Sequence, residues 1–221
     1  DVREEAHAAK VVSRTLEAFG NLTILVNNAG VYIGGPLELM RDEDIDATFQ
    51  VNVLGLLRLT RACLPMLRQS RGRIVNISSI SGLVALPGVS VYAGSKHAVE
   101  AITDSLRVEL SPFGVTVIAV EPGSIQTEIW RKGAERDDAR QSESKEVRDL
   151  YTPLVSLLEK LNENPRGIPP ERVAEVVRKA LMDDNPDNRY IVGTDAKSLS
   201  FLRWLPDSLR DGAIRRKVWK S

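Results

Sequence analysis

Cysteine is nearly absent from this chain. The 221 residues hold one, Cys63, so no internal disulfide can form, and a reducing, cytoplasmic setting is the default expectation. Histidine is almost as scarce. His7 and His97 are too few for a histidine-rich centre, and no Cys/His cluster has metal-ligand spacing, so no metal is expected. An excess of either charge is missing too. Thirty basic and thirty acidic residues balance to a formal net charge of zero, leaving no global field to draw in nucleic acid. No apolar run approaches the roughly 18 residues that a membrane span needs, and no signal-peptide pattern stands out. What is present is 43% hydrophobic content in a length that fits one domain with a sizeable core.

Apolar periodicity alternates with short apolar runs along the chain. Residues 3–19 read as a helix with Ala6, Ala9, Leu16 and Phe19 on one face and Gly20 as its stop. Residues 22–26 read as a buried strand that ends in the turn Asn27-Asn28-Ala29-Gly30, where glycine permits φ > 0. A second helix runs from Asp42 to about Gln69. Asn52 and Gly55 interrupt its apolar side, and Pro65 should kink it. Residues 73–77 form a second strand ending in Ser78-Ser79. Residues 115–120 form a third, ending in Pro122-Gly123, and residues 189–192 a fourth. Between the second and third lies a helix with Ala98, Ile102, Leu106 and Leu110 on its core face, and residues 171–182 form another. Residues 124–170 differ in character: they are dense in charge, then amphipathic, and long enough for a lid.

This helix–strand rhythm predicts an α/β fold with a parallel sheet. The strands are continuously apolar, as expected where helices cover both faces. Ligands of such sheets bind beyond the carboxyl ends of the strands. That edge collects Asn27–Gly30, Ser78-Ser79 and Pro122-Gly123. The third helix adds Tyr92 and Lys96, four residues apart and so on one helical face. A cation there favours phenolate, so the tyrosine can act as acid or base nearer neutral pH. Taken alone, such a pair is an ordinary solvated helix surface.

Asn27-Asn28-Ala29-Gly30, Asn52, Ser79, Tyr92-x-x-x-Lys96, Pro122-Gly123 and Thr127 occur in the order and approximate spacing of the short-chain dehydrogenases/reductases. Ser79 precedes Tyr92 by thirteen residues, as in the compact single-domain branch. The chain resembles this family over nearly its whole length. The resemblance implies a Rossmann-like doubly wound sheet, with residues 1–221 as a single partial domain and 124–170 as its substrate-loop insertion. The chain opens on Asp1, not Met, and has no Gly-x-x-x-Gly-x-Gly turn. It is therefore read as an N-terminally truncated member lacking the first βαβαβ part. Residues 22–26 would then be an uncovered apolar edge.

The resemblance also implies roles. Tyr92 is the general acid/base. Lys96 lowers its pKa and holds the nicotinamide ribose. Ser79 bonds the substrate oxygen. Asn52 marks a backbone distortion holding a water that leads to Lys96. Asp1 resembles the adenine contact, Asn28, Ala29 and Gly30 the approach to the adenosine ribose, and Pro122, Gly123 and Thr127 the nicotinamide-side loop. The implied cofactor is NAD or NADP. The implied reaction interconverts a secondary alcohol and a ketone. The stretch from Arg189 to Lys197, with Leu205-Pro206, is similar to the ends of retinol, hydroxysteroid and 3-hydroxybutyrate dehydrogenases and implies a lipophilic substrate.

A homodimer or homotetramer through the helices of Asn52 and Tyr92 is implied as well. The basic, Trp-containing tail either packs over the pocket or a subunit contact, or rests on a membrane surface. Each of these residues also has a plainer reading, as turn, cap or surface. A non-catalytic truncated homologue acting as an oligomerisation or binding module is the competing function. A nucleotide-sugar epimerase also uses Tyr-x-x-x-Lys, but the length after Tyr92 is short for its substrate domain. His97 falls on another face than Lys96 and is given no role, and Cys63 is expected to pack in the core or an interface.

Overall fold

The apolar runs pair as parallel strands in the computed structural model, which describes residues 1–126, 145–163 and 167–219. They are β1 (Ile24–Asn27), β2 (Arg73–Ile77), β3 (Thr116–Pro122) and β4 (Arg189–Val192), ordered β1-β2-β3-β4 among the described residues. Val26 lies opposite Val75, Val75 opposite Ile118, and Val120 opposite Tyr190. Parallel neighbours require crossovers, and helices supply them. The helices are α1 (Glu5–Phe19), α2 (Asp42–Phe49), α3 (Leu56–Ser70), α4 (Ser90–Leu110), α5 (Lys145–Leu150), α6 (Thr152–Glu163), α7 (Pro170–Met182), α8 (Thr194–Ser200) and α9 (Asp207–Trp219).

Alternation along the strands divides the core in two. Ile74 and Val117 face a cluster with Leu22, Leu25, Cys63, Leu67 and Leu110, so the α3 and α4 side chains cover that face. Val75, Ile118 and Val120 face the other way, against Val173, Ala180 and Val192. Cys63 is fully buried in the first cluster, as expected, and burial pushes its thiol up to about 11.

The expectation that every strand is covered on both faces fails at β1. Leu25 is buried, but Ile24 is 45% and Val26 36% exposed. The α7 side chains pack against β2–β4, and Ile24 and Val26 belong to neither core cluster. Among the described residues the strand is also the sheet edge, as the resemblance implied for residues 22–26.

The long second helix is interrupted. Residues Gln50–Gly55 form a π-helical turn between α2 and α3, and Pro65 lies inside α3 without ending it. A π-turn inserts one residue into the α repeat, a distortion that often marks a functional site. Here it coincides with the Asn52 and Gly55 that broke the apolar pattern.

Candidate active site

The strand ends and α4 converge as the pattern required. Ser79 caps the short 3₁₀ turn Ile80–Gly82 after β2, its Oγ accepting from the Ser81 N–H at 3.1 Å. The same hydroxyl hydrogen-bonds the Tyr92 phenol, which favours the ionised form. Burial acts more strongly, however, and holds the Tyr92 phenol above its ordinary value of 10. That corrects the expectation that the adjacent ammonium lowers it. Lys96 Nζ lies 5.8 Å from the Tyr92 ring centroid and donates to the Ile77 carbonyl at 2.9 Å. Burial brings Lys96 itself down to about 8, against the opposing pull of Glu100.

Asn52 is buried, and its side chain is occupied. Its Oδ1 accepts from Val31 N–H at 2.8 Å, and its Nδ2 donates to Val31 O and Ser95 Oγ, each at 3.0 Å. Ser95 Oγ in turn donates to the Tyr92 carbonyl at 2.7 Å. The π-turn is thereby tied both to the loop after β1 and to the first turn of α4. Removing a buried amide leaves such partners unpaired. Replacing Asn52 by Ala is expected to cost about 2–3 kcal/mol, read as a lower urea midpoint in the intact protein. An unchanged midpoint would show that the ties are dispensable.

Gly30 is corrected in its reason. Its φ is not in the left-handed region. A Cβ there would sit 3.5 Å from Asn52 Oδ1 and 3.8 Å from Lys96 Nζ, ordinary contacts that would nevertheless occupy the space beside both groups. Asn28 and Ala29 line a cleft of about 60 Å³ with Val2, Val26, Gly55 and Leu56. Asp1 is exposed and paired with Arg3. It reaches the cleft through its neighbour Val2, whose side chain packs against Gly55. Pro122 ends β3, and the Gly123 N–H donates to the Val192 carbonyl at 2.9 Å. Thr127 lies outside the described residues.

His97 is exposed, its ring nitrogen set on the Ala93 carbonyl at 2.9 Å, and takes no part. Sequence reasoning missed three contributors. Tyr32, in a stretch without periodicity, packs edge-on against Tyr92, ring centroids 5.1 Å apart. Ser95 stood inside the motif but was not assigned a role. Leu158 of α6 covers Gly88, just before α4, where a Cβ would meet Leu158 Cδ1 at 2.6 Å.

The family profile described as short chain dehydrogenase matches residues 1–138. A 3-ketodihydrosphingosine reductase of Bacteroides thetaiotaomicron is 32% identical over 221 residues, covering 97% of this chain and 80% of its own. Retinol dehydrogenase 16 of Mus musculus is 38% identical over 199 residues, covering 86% and 62%. Among solved structures, a short chain dehydrogenase of Burkholderia cenocepacia in complex with NADP superposes with a TM-score of 0.73 at 27% identity, covering all of this chain and 77% of that one. A short chain dehydrogenase/reductase of Burkholderia phymatum in complex with NAD gives 0.76 at 26% identity, covering 96% and 75%.

Proposed function

The chain belongs to the short-chain dehydrogenase family, and from that premise we propose that it is an NAD(P)-dependent oxidoreductase interconverting a lipophilic secondary alcohol and its ketone, with Tyr92 as general acid/base. The observation that carries the reading is the cluster of buried Ser79 and Lys96 with half-buried Tyr92 at the carboxyl ends of the strands, braced by Asn52 through Ser95. Such a cluster can move a proton at one oxygen atom.

The residues present fit a dinucleotide in part. Gly30 leaves space beside Lys96 Nζ, and Asn28 and Ala29 line an open cleft at the end of β1. Asp1, Asn28, Ala29 and Gly30 would hold the adenosine side, and Lys96, Pro122, Gly123 and Thr127 the nicotinamide side. The bound nicotinamide supplies or accepts the hydride, and relatives crystallised with NADP and with NAD leave the choice between them open.

In the reducing direction Tyr92, protonated because burial raises it, donates to the carbonyl oxygen. In the oxidising direction it must first lose that proton. Ser79, already bonded to the phenol, is placed to donate to the same substrate oxygen and steady the charge that develops there. Lys96, with its single carbonyl partner at Ile77, keeps donors for a ribose.

Several features support the finer reading. The Tyr32 and Tyr92 rings and the α6 side chain Leu158 give the substrate side an apolar wall, in keeping with residues 124–170 as a substrate loop. The two ends of that segment are joined: Ile168 N–H donates to Ser124 O, and Gln126 N–H to Ile168 O. Relatives named for 3-ketodihydrosphingosine and retinol are in line with a lipophilic substrate. The C-terminal helix α9 packs against α6, with Val218 buried, which favours a tail over the pocket above one on a membrane. Among the described residues no helix is long and apolar enough to cross a membrane. A lone buried thiol fits a cytoplasmic setting. Phe49, Leu57 and Val108 are exposed on the α2, α3 and α4 helices, which suits the proposed homodimer or homotetramer.

The test is a panel of lipophilic ketones offered to the intact protein with NADPH and with NADH, following loss of reduced-nicotinamide absorbance. Ketone-dependent oxidation of one cofactor is expected. Cofactor binding without turnover on any ketone would overturn the catalytic reading. No cofactor binding together with a defined oligomer would favour the binding-module alternative.

A further inference from the structure

The segment that leaves the sheet at Pro122 is held by a residue that the sequence reading gave no role of its own. Asp195, in the first turn of α8, accepts the Ser124 N–H through Oδ2 at 2.8 Å, across 71 residues of sequence. The room for its carboxylate comes from two glycines. A Cβ on Gly123 would lie 2.4 Å from Asp195 Oδ1 and 2.5 Å from Oδ2, and a Cβ on Gly193 would lie 2.5 Å from Oδ1. Distances below 3.0 Å are not tolerated by real side chains, so both positions must lack one if the carboxylate is to sit there. Gly193 also has φ 110°, a conformation that disfavours any other residue.

An acidic residue in the first turn of a helix has an ordinary explanation in the helix dipole. That explanation does not account for an acceptor directed out of the helix at another segment's backbone, nor for two glycines cleared around it. The bond fixes the chain where it leaves β3. One residue earlier, Gly123 N–H is bound to Val192 O at 2.9 Å. The Ser124 carbonyl then accepts from Ile168 N–H, also at 2.9 Å. Asp195 therefore stands between the strand end and the base of the substrate-side excursion.

We propose that Asp195 is a positioning residue for the cofactor: through Ser124 it sets the Pro122–Gly123 turn against the nicotinamide end of the dinucleotide. This rests on the reading of Pro122 and Gly123 as the nicotinamide-side loop. Asp195 touches no reacting atom, so its loss acts on cofactor affinity and leaves the proton transfer at Tyr92 in place. A bond from a backbone N–H to a carboxylate is among the stronger neutral-to-charged contacts. Its loss lets the turn shift by the fraction of an ångström that weakens a fitted ligand.

The experiment compares wild type, Asp195→Ala, Asp195→Asn and Gly193→Ala in the intact protein. It reads cofactor KM and Kd, kcat on a turned-over ketone, and Tm. Asp195→Ala is expected to raise cofactor KM and Kd about tenfold, with kcat held within about threefold. Asp195→Asn keeps an oxygen acceptor for Ser124 and should recover most of the affinity. Gly193→Ala displaces the carboxylate without touching the nicotinamide-side turn and should reproduce the alanine effect, which carries the test if Asp195→Ala does not fold. Unchanged cofactor KM in Asp195→Ala or Gly193→Ala would overturn the proposal, as would a fall in kcat and Tm with affinity intact. A wild-type protein that binds no nicotinamide cofactor would overturn the parent reading as well. Binding by wild type with unaffected variants would overturn Asp195's role alone.

Discussion

Replacing Tyr92 by Phe is expected to reduce turnover by roughly 10³-fold, within the range that a positioned acid/base supplies, while cofactor Kd stays within about threefold. The substitution removes one oxygen. The ring remains against Tyr32, 5.1 Å away and inclined at 74°, and the backbone carbonyl that receives Ser95 Oγ is untouched, so α4 keeps its ties. Steady-state kinetics with reduced and oxidised cofactor check the loss. Turnover above about a tenth of wild type would remove Tyr92 from the proton-transfer role.

The pH profile gives an independent reading of the same group. Burial holds the Tyr92 phenol above its usual value. In the reducing direction the required form is the protonated one, so activity should stay level through neutral pH and fall only in strongly alkaline solution. Alcohol oxidation needs phenolate and should rise with pH over the same range. Ser79 works against the burial effect by bonding the phenol. Ser79→Ala should therefore shift the oxidative rise to higher pH as well as slow it.

Much of this arrangement was legible before the structure. Continuous apolar runs bounded by turn residues located four strands, and the Tyr92–Lys96 spacing placed phenol and ammonium on one helical face. These are local patterns, and local patterns survive folding. The exposed outer face of β1 was not legible, because Ile24 and Val26 read as apolar whether or not a helix covers them. The π-turn at Gln50–Gly55 left a trace in Asn52 and Gly55, but neither residue specifies its hydrogen-bond pattern. The turn-like neighbours of Gly30 suggest a use for the φ > 0 that glycine allows, whereas its φ lies outside that region and open space beside Lys96 is what it provides.

Electrostatics were the least legible. An ammonium one turn from a phenol suggests a lowered pKa in water, and burial reversed the sign. Polar side chains hidden in the sheet were invisible for a related reason. Asn27 Nδ2 donates to Asn76 Oδ1 at 2.8 Å, and Asn76 Nδ2 to Thr103 Oγ1 at 2.8 Å. These partners stand 49 and 27 residues apart, a pairing that periodicity cannot find.

The largest of these hidden groups yields the second strong expectation: Arg189→Met should destabilise the protein by about 3–5 kcal/mol, the usual cost of leaving buried charge unpaired. Arg189 of β4 donates to Glu100 of α4 and, at 2.6 Å, to Glu121 of β3. Glu121 is fully buried. Both carboxylates also have a buried oxygen, Glu100 Oε1 and Glu121 Oε2, with no donor partner. Burial and the neighbouring Glu100 accordingly push Glu121 up to about 7.

A carboxyl raised on folding adds stability that is complete below its ordinary value of 4.5 and is lost as pH rises through about 7. Wild-type stability should therefore fall between pH 5 and pH 8, values chosen to bracket that window. Glu121→Gln should flatten the fall, since an amide can donate to Glu100 permanently and still accept from Arg189. In Arg189→Met the cation is gone and Glu121 needs its proton more, so the loss should be larger at the higher pH. Adding Glu121→Gln should restore part of it by removing one buried charge. Urea midpoints of the four proteins at both pH values check this. Equal midpoints for wild type and Arg189→Met would mean that the carboxyl pair does not depend on its arginine. The arginine also reaches Asp104, one turn beyond Glu100, so it fastens the helix that carries Tyr92 and Lys96 to β3 and β4. A protein that loses it should lose the alignment of α4 with the Pro122–Gly123 turn before it loses the fold, and cofactor-dependent turnover should decline at denaturant concentrations below the unfolding midpoint.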